Sequence, residues 1–274
     1  MLNLAGSAPA WAGAGQACVM HDAAVFDVHE AYARAFVHWY RWLFRHLARR
    51  DTTLLTVSAF SQGRLAQALG VPPARLSVLP LGADHLARTA PDTSILQAHG
   101  LADRPFLLAV GSANPNKGLA RLARAWAALA RDDARLVVAG GVDAKVFADA
   151  ALPEVPGLVN VGPVGDAALR ALYEAACGLV FPSRYEGFGL PPLEAMACGC
   201  PVAASQAASL PEACGDAALM LDPADDGAVL HAMRTLLDDA ATRQRLRRAG
   251  LAWSARWRWD ATADALLRAL EPGR

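Results

Sequence analysis

Residues 177–205 read CGLVFPSRYEGFGLPPLEAMACGCPVAAS, and the order of their parts decides the fold. A short apolar run from Cys177 to Phe181 leads into a loop from Pro182 to Leu190. Pro191 and Pro192 then mark a helix start, because the first-turn N–H groups of a helix have no intrahelical partner to lose. A second apolar run, Pro201 to Ala204, follows the helix. Strand, loop, helix and strand in that order form the unit from which open parallel sheets are built. The loop carries Glu186, Gly187, Phe188 and Gly189, and the first helical turn carries Glu194. Glycines there let the backbone approach a bulky anion, and the helix start adds unpaired N–H groups and a positive dipole end. Carboxylates cannot bind the anion themselves and pair with hydroxyls instead. The stretch therefore describes a site for phosphate and polyol together.

Working outward, the same alternation continues on the N-terminal side. Strand Phe106 to Val110 runs into Gly111-Ser112-Ala113-Asn114-Pro115-Asn116-Lys117-Gly118 and a helix to about Ala130. Strand Leu136 to Ala139 precedes a helix across 143–151, and strand Leu158 to Val161 precedes a helix across 167–176 with Asp166 as its N-cap. Beyond the central unit come a short strand at Leu219 to Leu221, helices at 225–238 and 240–250, and an amphipathic tail from Trp257 to Leu270. Nearer the N-terminus, apolar runs at Ala17 to Met20, Leu54 to Val57 and Leu76 to Leu79 read as strands. A helix from Ser58 or Ser61 to Leu69 separates the last two. Residues 1–15 show no periodicity. Residues 29–50 read as one long helix with Tyr32, Phe36, Trp39, Tyr40, Leu43 and Leu47 at helical spacing, a stripe suited to core or domain contact. Arg41, Arg45, Arg49 and Arg50 on its outer side fit a solvated face, or contact with a membrane surface.

With seven residues between Glu186 and Glu194, Phe-Pro-Ser before the first and Gly-Phe-Gly-Leu-Pro after it, the segment resembles the E-x7-E signature of family 4 (group 1) retaining nucleotide-sugar glycosyltransferases. The resemblance implies an α/β GT-B fold, with two Rossmann-like domains and an active site in the cleft between them. It implies transfer of a hexosyl group from a nucleoside diphosphate sugar with retention. Glu186 would grip sugar hydroxyls and Glu194 the ribose hydroxyls. The N–H groups of Gly187, Phe188, Gly189 and Leu190 would meet the diphosphate, and the turn at Gly162 to Val164 the base. The loop carrying Ser112 and Lys117 is similar to the family's diphosphate segment, where many members place arginine at the positions of Ser112 and Asn116. One cation remains in this loop, so Arg184 is a candidate for compensation, although its alternative is a surface position.

His21-Asp22 follows the strand ending at Met20 and stands where parallel sheets bind ligands. Read alone, Asp22 caps the next turn and His21 only packs. The resemblance assigns His21 instead to the donor sugar. It also matches Pro80-Leu81-Gly82-Ala83-Asp84 to the turn between the two domains, with leucine where asparagine is usual. The expected organisation is a partial N-terminal, acceptor-side domain (1–82), a linker (83–104), a C-terminal donor-binding domain (105–256) and a tail helix (257–274) crossing back. The resemblance covers about residues 16–272 and enters partway through the first domain, which predicts three strands there instead of about six. That outcome fits a start set downstream, a partner chain completing the domain, or a degraded copy.

Composition narrows the alternatives. A chain of 274 residues that is 54% hydrophobic can bury a large core, and 26 basic against 26 acidic residues give no reason to expect nucleic acid. No uninterrupted apolar stretch of membrane-spanning length is present. Five cysteines without framework spacing fit a reducing cytoplasm, and peripheral attachment at an inner membrane is compatible with this. Cys198 and Cys200 form a close pair that suits helix-end packing better than zinc. The expectation is no metal and no cofactor, because helix ends and Lys117 can supply positive charge. The partners expected are a nucleotide sugar and a carbohydrate or lipid-linked acceptor. Three rivals meet the pattern in part: a glycoside hydrolase would explain the paired carboxylates but not the phosphate-type loops, and a dehydrogenase lacks G-x-G-x-x-G after the first strand. The third, a truncated nucleotide-sugar-binding remnant or subunit without its own catalysis, stays open. Mannosyl transfer in surface polysaccharide synthesis is the expected specificity.

Overall fold

A computed structural model describes residues 1–11, 15–112, 114–140 and 153–271. The expected helix across 143–151 lies outside the described residues. The fold is α/β, with two parallel sheets. The first has the order β1 (Leu2–Asn3), β2 (Gln16–Val19), β3 (Thr52–Thr56) and β4 (Leu76–Val78). The second runs β10 (Leu219–Leu221), β9 (Val202–Ser205), β8 (Gly178–Phe181), β5 (Phe106–Val110), β6 (Arg135–Ala139), β7 (Leu158–Gly162). Strands β5, β6 and β8 are apolar on both sides because helices cover both faces of a parallel sheet. The helices are α1 (Ala24–Asp27), α2 (Arg34–Ala48), α3 (Ala59–Leu69), α4 (Asp84–Arg88), α5 (Ser94–Ala98), α6 (Leu119–Leu129), α7 (Asp166–Ala175), α8 (Leu190–Ala197), α9 (Leu210–Cys214), α10 (Asp226–Asp238), α11 (Ala240–Ser254) and α12 (Trp259–Leu270).

The order of the larger sheet places the site. From β5 the chain winds outward through β6 to β7, then returns to the other side of β5 for β8, β9 and β10. The reversal falls between β5 and β8. The loops leaving those two strands part there and open a crevice at their C-terminal ends, where α/β sheets bind ligands. They are the loops that carry Lys117 and Glu186.

One core runs through both sheets. Val19 and Leu55 from the first, Leu79 and Leu86 from the connection, and Phe106, Leu108, Phe181 and Phe188 from the second belong to a single buried cluster. The far face of the second sheet buries Trp126 of α6 and Met233 of α10. The far face of the first buries Leu43, Phe44 and Leu47 of α2 and Leu65 of α3. The tail helix closes the arrangement at Gly82. Main-chain Ala83 N donates to Trp257 O at 3.0 Å, and a Cβ on Gly82 would sit 2.2 Å from Trp259 N. The α12 hydroxyl of Thr262 then donates to Pro80 O at 2.5 Å.

Several sequence expectations change. The first sheet has a fourth strand, β1, in the stretch that showed no periodicity; two residues are too few to produce an alternating pattern. The helix expected over 29–50 is interrupted: Tyr32 and Ala33 are extended, and α2 begins only at Arg34. Its aromatic stripe divides accordingly. Leu43 and Leu47 are core, whereas Phe36 and Trp39 are exposed, because the buried face is set by Val37, Leu43, Phe44 and Leu47. Residues 83–104 hold two short helices, α4 and α5, with Leu86 and Leu101 buried. Asp166 is the first residue of α7 and Gly165 its cap, so its carboxylate meets the helix dipole but caps no N–H. Cys198 and Cys200 are buried free thiols at the end of α8; burial pushes the Cys198 thiol up to about 12.

Candidate active site

The loop after β8 is shaped by its glycines. Gly189 caps α8 with φ 109°, a conformation that disfavours other residues, and a Cβ there would lie 2.8 Å from Leu210 Cδ2. Gly187 is pinned on its carbonyl side: the hydroxyls of Ser58 and Ser61, at the start of α3, donate to Gly187 O at 2.6 and 2.9 Å. Ser209 donates to Glu186 O at 2.9 Å and to Phe188 O at 2.8 Å. With these carbonyls held, the N–H groups of Gly187, Phe188, Gly189 and Leu190 have no acceptor among the described residues. That is the condition of an anion-binding helix start. The Phe188 side chain is not part of it. Its ring is buried edge-on against Trp257, with centroids 5.3 Å apart.

The loop after β5 is stitched to the same place. Asn114 caps a 3-10 turn over Pro115–Lys117, with Asn116 N donating to Asn114 Oδ1 at 2.9 Å. Arg184 N and the Ser183 hydroxyl both donate to Asn116 O, at 2.7 and 3.1 Å. Gly118, at φ 71°, lies so close to Pro182 that a Cβ would come within 2.6 Å of the Pro182 carbonyl. The consequence is a bidentate ion pair: Lys117 Nζ donates to Glu186 Oε1 at 2.7 Å and to Oε2 at 2.9 Å. Lysine has three donors, so one remains for a ligand. Ser112 lies in this loop and is partly buried. The Arg184 side chain is exposed, the surface alternative of its two readings.

The smaller sheet supplies the opposite wall. A Cβ on Gly187 would fall 2.7 Å from His21 O and 3.0 Å from Asp22 Cβ, so the two domains touch at this point. The His21 ring is exposed, with Nε2 2.8 Å from Leu4 O. Asp22 accepts from Ala24 N at 2.8 Å, the turn-capping role. Burial pushes its carboxyl above the usual range, the nearby Glu186 charge adds to this, and Ala24, His21 and Lys117 act against it. Tyr32, where the helix breaks, is pushed up to about 12 by burial and by Asp22, while the nearby Asn114 side chain works in the other direction. Asp22, Tyr32 and Asn114 thus join Lys117, Glu186 and Gly187 around one crevice.

Glu194 has a different neighbourhood. It is buried on α8, with His85 Nε2 3.3 Å from Oε1 and the Tyr173 hydroxyl 3.4 Å from Oε2. Trp259 Nε1 donates to His85 Nδ1 at 3.1 Å, which fixes the ring with Nε2 towards Glu194 Oε1. Burial raises the Glu194 carboxyl, opposed by His85 and Tyr173. The Asp166 charge at the start of α7 adds a smaller repulsion. Val164, in that turn, is partly buried against the shared core.

A clasp holds the domains together beside the site. Tyr185 donates to Asp27 Oδ2 at 2.8 Å, and Arg64 grips the same carboxylate at 2.8 and 2.6 Å. Burial pushes the Asp27 carboxyl up, but Arg64 and Tyr185 outweigh it and hold it below the usual range. Glu212 of α9 accepts from Ala59 N and Phe60 N at 2.9 and 3.1 Å, capping α3 from the other domain. Sequence reading missed His85, Asn114, Asp27, Tyr185 and Glu212 as contributors. Only Ser58 and Ser61 gave a signal, as candidate helix starts.

Residues 104–239 match the family model described as glycosyl transferases group 1. The chain is 32% identical over 254 residues to the O-antigen chain mannosyltransferase B of Escherichia coli, covering 88% of this chain and 66% of that protein. It is 33% identical over 220 residues to the MMP alpha-(1->4)-mannosyltransferase of Mycolicibacterium hassiacum, covering 76% and 51% respectively. Among solved structures, sucrose-phosphate synthase from Thermosynechococcus elongatus superposes with a TM-score of 0.71 at 26% identity, covering 92% of this chain and 66% of that one. Anabaena HepE in complex with UDP-glucose gives 0.74 at 19% identity, with 92% and 72% covered. The fold is that of the GT-B glycosyltransferases, and the chain belongs to the group 1 glycosyl transferases. It spans about two thirds of the length of the first of these curated relatives and half of the second.

Proposed function

We propose that the protein acts in the transfer of a hexosyl group, a mannosyl group by its relatives, from a nucleoside diphosphate sugar to a carbohydrate or lipid-linked acceptor, with retention. The observation that carries this reading is the group of unpartnered amides at Gly187–Leu190 beside the Lys117 ammonium, at the reversal point of the sheet and facing a second domain. Breaking the bond to the diphosphate builds negative charge on the leaving oxygen. Fixed N–H dipoles and a cation aimed there supply the kind of stabilisation that dominates such reactions. Lys117 can hold Glu186 with two of its donors and offer the third to phosphate. Glu186 then has acceptor capacity for sugar hydroxyls, since each carboxylate oxygen has more than one lone pair. Glu194, already a hydrogen-bond acceptor and buried, is suited to ribose hydroxyls, and we assign the base to the turn carrying Val164. His21, exposed just after β2, is the residue we assign to the donor sugar.

The test is thermal unfolding in the presence of nucleoside diphosphates and their sugars, paired with donor hydrolysis and with Glu194→Ala as control. A ligand at a hundred times its Kd stabilises by about 2.7 kcal/mol, and Glu194→Ala should remove most of that shift. Stabilisation with slow release of the sugar supports the transferase reading. Stabilisation without turnover points to the binding remnant. No response to any nucleotide overturns both.

A further inference from the structure

One face of α2 is used neither by the core nor by the site. His38, Trp39, Trp42, Arg45, His46 and Arg49 follow one another at helical spacing on the outer side. Trp39 is 52% and Trp42 40% exposed, and Trp11 beside them is 76% exposed. The three indoles form one group: Trp39 and Trp42 lie 5.1 Å apart, and Trp11 and Trp42 5.9 Å apart. His46 stacks on Trp42 at 5.1 Å. Around them, His38, Arg41, Arg45, His46 and Arg49 line a hollow of about 400 Å³. Between Ala31 and Arg50 the chain has five arginines and no acidic residue, although the whole chain is balanced at 26 of each sign.

We propose that this face docks on the surface of an anionic lipid bilayer. Indole rings with one apolar body and one N–H donor are favoured at the boundary between headgroups and acyl chains. Arginine pairs with lipid phosphate, and clustered basic residues are drawn to anionic membranes. A solvated helix face has no use for three adjacent tryptophans, and a nucleic-acid site would not confine its positive charge to one helix rimmed by indoles. The inner side of α2 is fixed by Val37, Leu43, Phe44 and Leu47, so docking is shallow and leaves the fold intact. The face is also continuous with the crevice. Tyr32, Phe36 and Tyr40 form a ring ladder at 5.5 and 4.3 Å, and they line a cavity of about 190 Å³ with His21 and Asp22. A bilayer on α2 would present headgroup-linked molecules next to that cavity. No described helix is long and apolar enough to cross a membrane, so this contact is made at the surface. The inference stands apart from the transferase reading, since it concerns residues that touch no donor.

Co-sedimentation with vesicles tests it. The protein should sediment with vesicles of phosphatidylglycerol mixed with phosphatidylcholine and stay in solution with phosphatidylcholine alone, and high salt should release it. Trp39→Ser with Trp42→Ser, and separately Arg45→Glu with Arg49→Glu, should each lower the bound fraction about tenfold, with thermal unfolding and nucleotide response unchanged. Absence of binding to anionic vesicles, or variants that bind as well as the wild type, overturns the proposal. So does loss of a concentration-dependent dimer in the tryptophan variant without any vesicle binding, which would assign the face to a second copy of the chain. A donor response that persists while vesicle binding fails separates this outcome from failure of the transferase reading.

Discussion

Glu186 and Glu194 share one short segment, yet they work in unlike surroundings. Glu186 sits on a glycine loop at the domain boundary, held by an ion pair to Lys117 at 2.7 Å. Glu194 sits on a helix, buried, with His85 3.3 Å from one oxygen and the Tyr173 hydroxyl donating to the other. The first carboxylate is paired with a full positive charge. The second is made costly as an anion by burial. The same residue type therefore offers a charge-neutralised grip at one end of the crevice and a strong, poorly solvated acceptor at the other. The joint between them is Gly189.

Removing that joint should have the largest effect. Gly189→Ala puts a side chain at φ 109° and against Leu210, at a cost of about 3 kcal/mol from backbone strain and overpacking. Urea unfolding should show it, with nucleotide response lost at both ends of the crevice. An unchanged midpoint would mean that the loop has another conformation.

Glu186→Gln separates binding from turnover. It frees Lys117 from its partner, so a nucleoside diphosphate should bind at least as tightly as to the wild type, while kcat falls about a hundredfold. Isothermal titration alongside steady-state rates decides this; a matching loss of affinity would show that Glu186 organises the anion site itself.

Glu194→Gln should weaken nucleotide binding about tenfold, the scale of one charge-assisted hydrogen bond. It should also stabilise the free protein at neutral pH. The sign follows from the raised carboxyl. Where the folded pKa lies above the unfolded one, the native state binds more protons, so stability falls as pH rises through that window and stays low above it. The glutamine variant lacks this slope, and melting curves across acid to neutral pH should show the two proteins converging at low pH.

The smallest effect is expected at the clasp that keeps Glu186 against the other domain. Tyr185→Phe removes one hydrogen bond to Asp27 and should cost about 1 kcal/mol, read by thermal unfolding. Asp27 is depressed, so the contribution of its ion pair is present above the unfolded carboxylate pKa and is lost as pH falls through the folded one. Destabilisation by Tyr185→Phe should therefore shrink in acid.

Much of this architecture was legible along the chain. The alternation from Phe106 to Leu221 produced β5–β10 within a residue or two because the strands are mainly apolar runs between turn residues, even where Asn160 interrupts β7. Glycines at 187 and 189, prolines at 191 and 192 and the two glutamates announced an anion-binding helix start. Helix α2 was harder. Its apolar spacing continues back through Tyr32, but at Tyr32 the chain is extended and the ring reaches Asn114 of the other domain, a contact no local pattern encodes. Phe36 and Trp39 of the stripe are exposed for a related reason: periodicity says which residues share a face, not which of two apolar faces is covered.

What the amino-acid order determined on its own was the set of strands and helices and the loop between β8 and α8, since hydrophobic period, glycine freedom and proline geometry act over a few neighbouring residues. The partners of the site were decided by the tertiary structure alone. Lys117 meets Glu186 across 69 residues, Ser58 reaches Gly187 across 129, and Trp259 orients His85 across 174. Those pairings follow from two sheets packed on one core, and side-chain electrostatics at a crevice depend on what the packing brings within a few ångströms.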